Sequence, residues 1–198
     1  MGKARFSLVY SRIGDNKMKK AILAFLGQVE NGSIEIYNEF SLQHELGIYL
    51  RNYFPNHRIQ FERNTKFFGI ETTTKHEIDI VVYNEQEKMA IELKFPLNGQ
   101  YPEQMFSFIK DLCFMEELKT NGFTHTYCLC IVKDKNFYTG KKQDGVYGYF
   151  RCQKTLHGSV EKPTGTKKES LFVQGTYHIH WHDIKTQPIM KYYFIDVM

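Results

Sequence analysis

The chain has 198 residues, of which 42% are hydrophobic and 15% aromatic, so it can bury a well-packed core and is not an intrinsically disordered segment. Its net charge of +4 permits a nucleic-acid partner but excludes the strong basic bias of a histone-like binder. No apolar run approaches the roughly 18 residues of a membrane span, and no apolar signal core follows Lys3 and Arg5. We therefore expect a soluble, cytoplasmic protein without a membrane partner, folded as a single domain over residues 1–198.

The first two predicted elements are helices. Apolar residues recur at helical spacing after Asn16, until the pair at 31–32, Asn-Gly, ends the run. A second helix is predicted from Ser41 to just before Pro55, because its apolar side chains form one continuous stripe. Glu45 lies at the margin of that stripe.

A strand at Arg58 to Glu62 and a polar link lead to a predicted β-hairpin at residues 77–94, EIDIVVYNEQEKMAIELK. Successive side chains of a strand point to opposite faces, so the alternation in both arms gives the hairpin one apolar face. That face consists of Ile78, Ile80, Val82, Met89, Ile91 and Leu93. The other face includes Asp79, Glu92 and Lys94.

Two carboxylates meet on this second face. If the turn is centred between Glu85 and Gln86, Asp79 is directly opposite Glu92, with Cβ atoms roughly 5 Å apart. Like charges at this distance oppose folding unless a cation lies between them. Mg²⁺ takes oxygen ligands and often uses one or two carboxylates with water and substrate phosphate. Because Lys94 projects from the same face, the hairpin indicates a magnesium site for phosphate chemistry.

Further elements follow the hairpin. Pro102 suits the first turn of a long amphipathic helix that ends at residues 121–122, and Thr126 to Val132 form an apolar strand. From Lys133 onward, lysines alternate with glycine and aromatic residues, and no linker requires a second domain. Strand residues are predicted at Tyr147, Tyr149 and Phe150, at Leu171 to Trp181 and at Lys191 to Val197. We interpret residues 133–198 as a β-rich extension of the sheet.

The four cysteines, Cys113, Cys128, Cys130 and Cys152, show no Cys-x-x-Cys pair and no zinc-type spacing. Each lies in an apolar segment. We therefore expect buried, reduced thiols.

An Asp on one strand and Glu-x-Lys on the next, here Asp79 and the tripeptide Glu92-Leu93-Lys94, resemble the motif of the PD-(D/E)XK nuclease superfamily. Ile78 stands where the family name has Pro. The predicted order from Ser41 to Val132 also resembles the common core of the restriction-endonuclease-like fold, over about 90 residues. The resemblance implies an α/β fold with an αβββαβ core at about 41–132 and a mixed sheet flanked by helices.

The resemblance implies a magnesium-dependent endodeoxyribonuclease, of restriction type or from a bacterial or phage conflict system, in which Mn²⁺ can replace Mg²⁺. Asp79 and Glu92 would bind the metal, and Lys94 would orient the attacking water. Family members often add an acidic residue from the first core helix, which makes Glu45 the candidate for the catalytic and metal site and Glu39 the fallback. The implied partners are nucleic acid, with DNA favoured over RNA, and a second copy of the chain in a homodimer.

One branch of the superfamily has a Gln in the following helix, four residues before a Tyr. Here Gln104 precedes Phe108, which places the chain outside that branch.

Several alternatives stay open at this point. The same hairpin is compatible with a solvent-facing strand in which Lys94 pairs with Glu77. The fold is also compatible with a catalytically silent protein that binds nucleic acid or a regulatory partner. A nuclease that needs a partner or small effector for activity is a third possibility. His178, His180 and His182 would share one strand face, which favours a polar or nucleic-acid-facing strand over a zinc site.

Overall fold

The computed structural model describes residues 7–165 and 169–198, with side chains from residue 17 onward. In this part of the chain the helices are α1 (Ser7–Glu30), α2 (Glu39–Tyr53), α3 (Tyr101–Thr120) and α4 (Val146–Arg151). The strands are β1 (Arg58–Asn64), β2 (Glu77–Tyr83), β3 (Lys88–Lys94), β4 (His125–Val132), β5 (Leu156–Glu161), β6 (Ser170–Tyr177), β7 (His182–Ile184) and β8 (Met190–Val197). Within the described ranges, no helix combines the length and the apolar character that crossing a bilayer requires.

Six of the strands form one mixed sheet in the order β1-β2-β3-β4-β8-β7, and β5 pairs with β6 in a separate two-stranded sheet. Only the β3–β4 pair is parallel among these described pairs; the others are antiparallel. Because α3 connects β3 to β4, it supplies the crossover that a parallel pair needs. The fold is therefore α/β with a mixed sheet flanked by helices, as predicted.

Each face of the sheet has its own apolar core. Residues of α1 and α2, such as Phe25 and Leu46, pack on one face against Ile80 and Ile91. Residues of α3 and α4 pack on the other face together with those of β5 and β6, so the extension at 133–198 shares this second core. The central strands are covered on both sides, which explains their nearly continuous apolar sequences. All four cysteines are free thiols.

The register of the β2–β3 hairpin is the predicted one. Val82 is opposite Met89 and Ile80 is opposite Ile91. The alternating pattern was sufficient to predict this register, because a slip of one residue would move every apolar side chain to the other face.

The alternation in β2 breaks at Asp79. Ile80 packs in the α2-side core whereas Ile78 packs in the α3-side core, so the prediction that these two share a face is wrong. The β1–β2 pairing continues on both sides of Asp79 but skips Asp79 and its counterpart Glu62, which has a φ of 48°. A positive φ is uncommon outside glycine, and this distortion reorients β2 at the candidate site.

The second half of the chain differs from its prediction in two places. Tyr147 and Phe150 lie in helix α4, where spacing of three residues buries both on one side, so their β propensity is overridden by packing. The strand predicted at 171–181 ends at Tyr177, and β6 joins the separate sheet. β8 at Met190–Val197 does extend the main sheet, as predicted.

Helix α2 is held in place at its N-terminus and at its middle. Asn38 and Ser41 form a capping box, with the Asn38 side chain accepting the Ser41 N–H at 2.7 Å. Further along, Gly47 faces the Phe61 ring of β1 so closely that a Cβ atom would lie 2.1 Å from it. The absence of a side chain at Gly47 therefore allows α2 to approach the sheet closely.

Candidate active site

The structure brings Asp79 and Glu92 together at the end of the hairpin. Asp79 Oδ2 accepts a hydrogen bond from the Leu93 N–H at 2.7 Å, and the Asp79 N–H donates to Glu92 Oε1 at 3.3 Å. Beyond the regular pair Ile80 and Ile91, these two backbone N–H groups therefore donate to carboxylate side chains instead of to the opposite strand. The two carboxylates are close enough for their charges to interact. The regular cross-strand pairing ends at Ile80 and Ile91, however, so Asp79 is not the paired residue opposite Glu92 that the sequence predicted.

Lys94 contacts two further carboxylates near this pair, the buried Asp111 and the half-exposed Glu39. Its Nζ lies 3.1 Å from Asp111 Oδ2 and 3.8 Å from Glu39 Oε1, and it donates to the Leu93 carbonyl at 3.0 Å. The side chain is 19% exposed. The alternative surface pair with Glu77 is absent from the contacts of the described residues, because Lys94 turns inward.

Asp111 and Lys75 belong to the same cluster, and neither was predicted. Asp111, on α3, is 4% exposed, and Glu92 is 1% exposed. Lys75 Nζ contacts Glu92 Oε2 and lies 2.9 Å from Asp111 Oδ1. Asp111 Oδ2 has no well-directed hydrogen bond within the described ranges and is held by the charge of Lys94. Asp111 is a charged residue among the apolar positions of α3, and this break in the apolar pattern is a sequence signal for it. Lys75 lies in a polar link, where the sequence contains no such signal.

The acidic residue that α2 contributes is Glu39, the fallback, and not Glu45. Glu39 Oε2 accepts the Phe95 N–H at 2.9 Å, next to Lys94. Glu45 lies six residues further on, about 240° around the helix axis. No contact among the described residues connects Glu45 with the cluster. The sequence therefore predicted the helix that reaches the cluster, but the residue that lies there is Glu39 and not Glu45.

Two further predicted positions lie away from the cluster. The Gln104 amide donates to the Asn98 carbonyl at 3.3 Å, in the loop before α3. His178 and His180 precede β7 and stack with ring centroids 6.0 Å apart, whereas His182 is in β7 beside Tyr192. Contrary to the prediction from the sequence, the three histidines therefore do not share one face of a single strand, because only His182 lies in β7.

A small pocket opens beside Asp79, with a volume of about 60 Å³. It is lined by Glu39, Phe40, Gln43, Glu62, Asp79 and Leu93. The Gln43 amide spans this pocket by donating to the Asp79 carbonyl at 2.8 Å and to the Glu62 carboxylate. The volume is enough for one or two water molecules, each of which takes roughly 30 Å³ in the liquid.

The cluster is electrostatically unbalanced. Four carboxylates, Glu39, Asp79, Glu92 and Asp111, face two ammonium groups, Lys75 and Lys94, which leaves two negative charges in excess when all six are ionised.

The pKa values of these groups are shifted by burial first and by the neighbouring charges second. Burial raises the pKa of Asp79 to about 6, although Lys94 and the Leu93 N–H oppose the change. Burial, and then the charges of Asp79 and Asp111, raise the pKa of Glu92 well above its usual value. Burial alone would lower the pKa of both lysines, but the surrounding carboxylates raise it, so both remain charged. A divalent cation would neutralise the excess.

The donor set fits a hard cation that keeps most of its water ligands. In the described residues no three His, Cys, Asp or Glu side chains are placed to hold a metal ion, which argues against a closed zinc-type site. Mg²⁺ needs only one or two carboxylates. Asp79 and Glu92 would supply two, and the pocket beside Asp79 has room for water.

Comparisons of the chain with protein-family models, with curated proteins and with solved structures gave no match. The function therefore has to be argued from the geometry and charge of these residues.

Proposed function

We propose that the chain is a metal-dependent nuclease of the PD-(D/E)XK superfamily, an endonuclease that hydrolyses phosphodiester bonds of DNA. The observation that carries the proposal is the adjacency of Asp79 and Glu92, with the Lys94 ammonium turned into the same charged cluster. The order α2, β1, β2, β3, α3, β4 supports a restriction-endonuclease-like core. The surplus of negative charge supports binding of a divalent cation before the phosphate.

In the proposed mechanism, Asp79 and Glu92 hold Mg²⁺ or Mn²⁺, and Glu39 takes the supporting role that the resemblance gave to Glu45. When bound, such a cation polarises a phosphate and lowers the pKa of a coordinated water. Lys94 orients the attacking water and stabilises the negative charge that develops on the phosphoryl oxygens. The neighbouring carboxylates keep this ammonium charged, since they raise its pKa.

Two other groups position these side chains. Asp111 fixes the Lys94 ammonium from the α3 side at 3.1 Å. Gln43 fixes the Asp79 backbone from the α2 side through its carbonyl. The reacting groups are therefore held from both faces of the sheet, which favours a single geometry.

The test is an assay of the purified protein with supercoiled plasmid DNA, single-stranded DNA and RNA, each with Mg²⁺, Mn²⁺ or a chelator. We expect metal-dependent nicking or linearisation of the plasmid. Glu92→Ala and Lys94→Ala should abolish cleavage while circular dichroism shows an intact fold, and Glu45→Ala, on the same helix as Glu39, is the matched control. Undiminished cutting by both Glu92→Ala and Lys94→Ala would refute the proposed roles.

A second candidate is a catalytically silent nuclease-fold protein that binds nucleic acid or a regulatory partner. The observation in its favour is that Lys75 already places a cation against Glu92 and Asp111. This candidate predicts DNA binding with the salt dependence of counterion release and no metal-stimulated product. Cleavage that appears only after another component is added would instead favour a conflict-system nuclease under control of a partner.

A homodimer that cuts both strands remains a prediction from the resemblance. Sedimentation of the purified protein with and without DNA measures it directly.

A further inference from the structure

Lys75 lies at the boundary between solvent and the buried carboxylates. Its side chain is 28% exposed, whereas the side chains of its partners Glu92 and Asp111 are 1% and 6% exposed. The ammonium contacts Glu92 Oε2 and lies 2.9 Å from Asp111 Oδ1. Lys75 is therefore the cation that closes the cluster on its α3 side.

The backbone around Lys75 is anchored independently of this ammonium. The Thr74 N–H donates to Glu117 Oε2 on α3 at 2.8 Å, and the Thr74 hydroxyl donates to the same oxygen at 3.1 Å. On the other side, the His76 carbonyl accepts the Thr65 N–H at 2.8 Å. The long Lys75 side chain can therefore change its partner without displacement of the chain that carries it.

Both oxygens of Glu92 have partners in this arrangement. Oε2 contacts the Lys75 ammonium, and Oε1 accepts the Asp79 N–H at 3.3 Å. An ammonium and a divalent cation on the same carboxylate repel each other strongly at such short separations. A metal ion bound to Glu92 therefore favours withdrawal of Lys75 from this carboxylate. Asp111 provides a second carboxylate that can retain the lysine after it withdraws.

We propose that Lys75 is an internal counter-cation that occupies Glu92 in the metal-free protein, and that a divalent cation binds by displacing it toward Asp111. The inference rests on the proposed function in one respect, since it takes Glu92 as a metal ligand. It goes further because it makes metal affinity a competition with a residue of the chain itself.

The test is calorimetric titration of the full chain with Mn²⁺, without DNA. Lys75→Met keeps the length of the side chain and removes the charge, so we expect Mn²⁺ affinity to rise about tenfold or more. The metal-free variant should also unfold at a lower temperature, because Glu92 and Asp111 lose their shared cation. Lys66→Met, at an exposed lysine of the same link, is the matched control and should leave both properties unchanged.

A second variant keeps the charge and reverses the sign of the effect. The guanidinium of Lys75→Arg can bind two carboxylates through parallel hydrogen bonds, so it should hold Glu92 more firmly and weaken Mn²⁺ binding. This variant keeps the inference testable even if Lys75→Met does not fold.

The possible results separate the inference from the proposed function. Equal Mn²⁺ affinity of the wild type, Lys75→Met and Lys75→Arg overturns the displacement, whereas loss of binding in Glu92→Gln would still support the metal site. Binding by Lys75→Met alone supports the displacement and favours the catalytically silent candidate for the wild type. Absence of binding in all variants, together with absence of DNA cleavage, overturns both.

Discussion

Two buried carboxylates on helix α3, Asp111 and Glu116, are treated very differently by their surroundings. Each is 4% exposed. Glu116 accepts hydrogen bonds from the N–H groups of Gln174 at 3.0 Å and Gly175 at 2.7 Å, and from the Tyr177 hydroxyl at 3.0 Å. Asp111 instead faces the ammonium groups of two long, flexible side chains.

The difference is one of satisfied against incompletely satisfied charge. The donors of Glu116 are neutral and belong to β6, so they satisfy its charge permanently and attach β6 to α3. The partners of Asp111 also contact other carboxylates, Glu92 and Glu39, so Asp111 shares both of its cations. An added cation would therefore not stabilise the surroundings of Glu116, whereas we expect it to stabilise the cluster around Asp111.

Of the variants that test this contrast, Asp111→Asn is expected to have the largest effect. The substitution removes the charge of Asp111, so Lys94 loses its closest carboxylate and the cluster attracts a dication less strongly. Cleavage should therefore fall about 10- to 100-fold. Mn²⁺ affinity should fall as well, a change that loss of packing alone would not cause. Plasmid cleavage kinetics and calorimetry measure the two quantities. If both stay at wild-type values, Asp111 is a structural residue like Glu116.

Glu116→Gln should have the opposite profile. Its neutral amide cannot accept from all three donors, so the free energy of unfolding should fall by about 2 kcal/mol. Urea denaturation measures this change. Mn²⁺ affinity and cleavage should be retained at temperatures where the variant is folded, and their loss there would contradict the separation of the two sites.

A pair of variants on α2 tests which acidic residue serves the site. Glu39→Gln should reduce cleavage by about tenfold, because its carboxylate faces the Lys94 ammonium and helps to complete the charged cluster. Glu45→Gln should leave cleavage within about twofold of the wild type, since surface changes away from a site have small effects. The reverse result would restore Glu45 as the catalytic residue.

The smallest effect concerns pH. Because burial raises the pKa of Asp79 to about 6, the folded protein takes up a proton between pH 7 and 5 that the unfolded chain, with a pKa near 3.9, does not. The metal-free protein should therefore gain about 1 kcal/mol of stability from Asp79 as the pH falls from 7 to 5. Thermal unfolding of the wild type and Asp79→Asn at both pH values measures it. A wild type that loses stability on acidification relative to the variant would contradict the assignment.

The hairpin could be predicted because its determinants are local. Alternation in two arms close in sequence fixes the register as far as Ile80 and Ile91. Asp79 and Glu92 are the next residues, and the Asp79 N–H donates to Glu92 Oε1. Helices α2 and α3 were similarly predictable from the spacing of their apolar residues. The start of α3 was predictable too, because Pro102 lies in its first turn. Helix α2 begins at Glu39, two residues before the predicted Ser41.

The rest of the cluster depends on contacts between distant parts of the chain. Lys75 and Asp111 are 36 residues apart, and neither has a local pattern that brings them together. Glu39 and Glu45 are both acidic residues near the start of one helix, and only the packing angle of α2 decides between them. The break at Asp79 likewise depends on Glu62 in the neighbouring strand.

The contact between Gly47 and the Phe61 ring has a consequence for the pocket eight residues away. A methyl group there would press on the ring, and either the ring would rotate out or α2 would tilt away from β1. Tilting would draw the start of the helix away from the Phe95 N–H that Glu39 now accepts. Gly47 has no charge and no atom in the pocket. Its lack of a side chain would nevertheless control how close Glu39 lies to the other acidic groups.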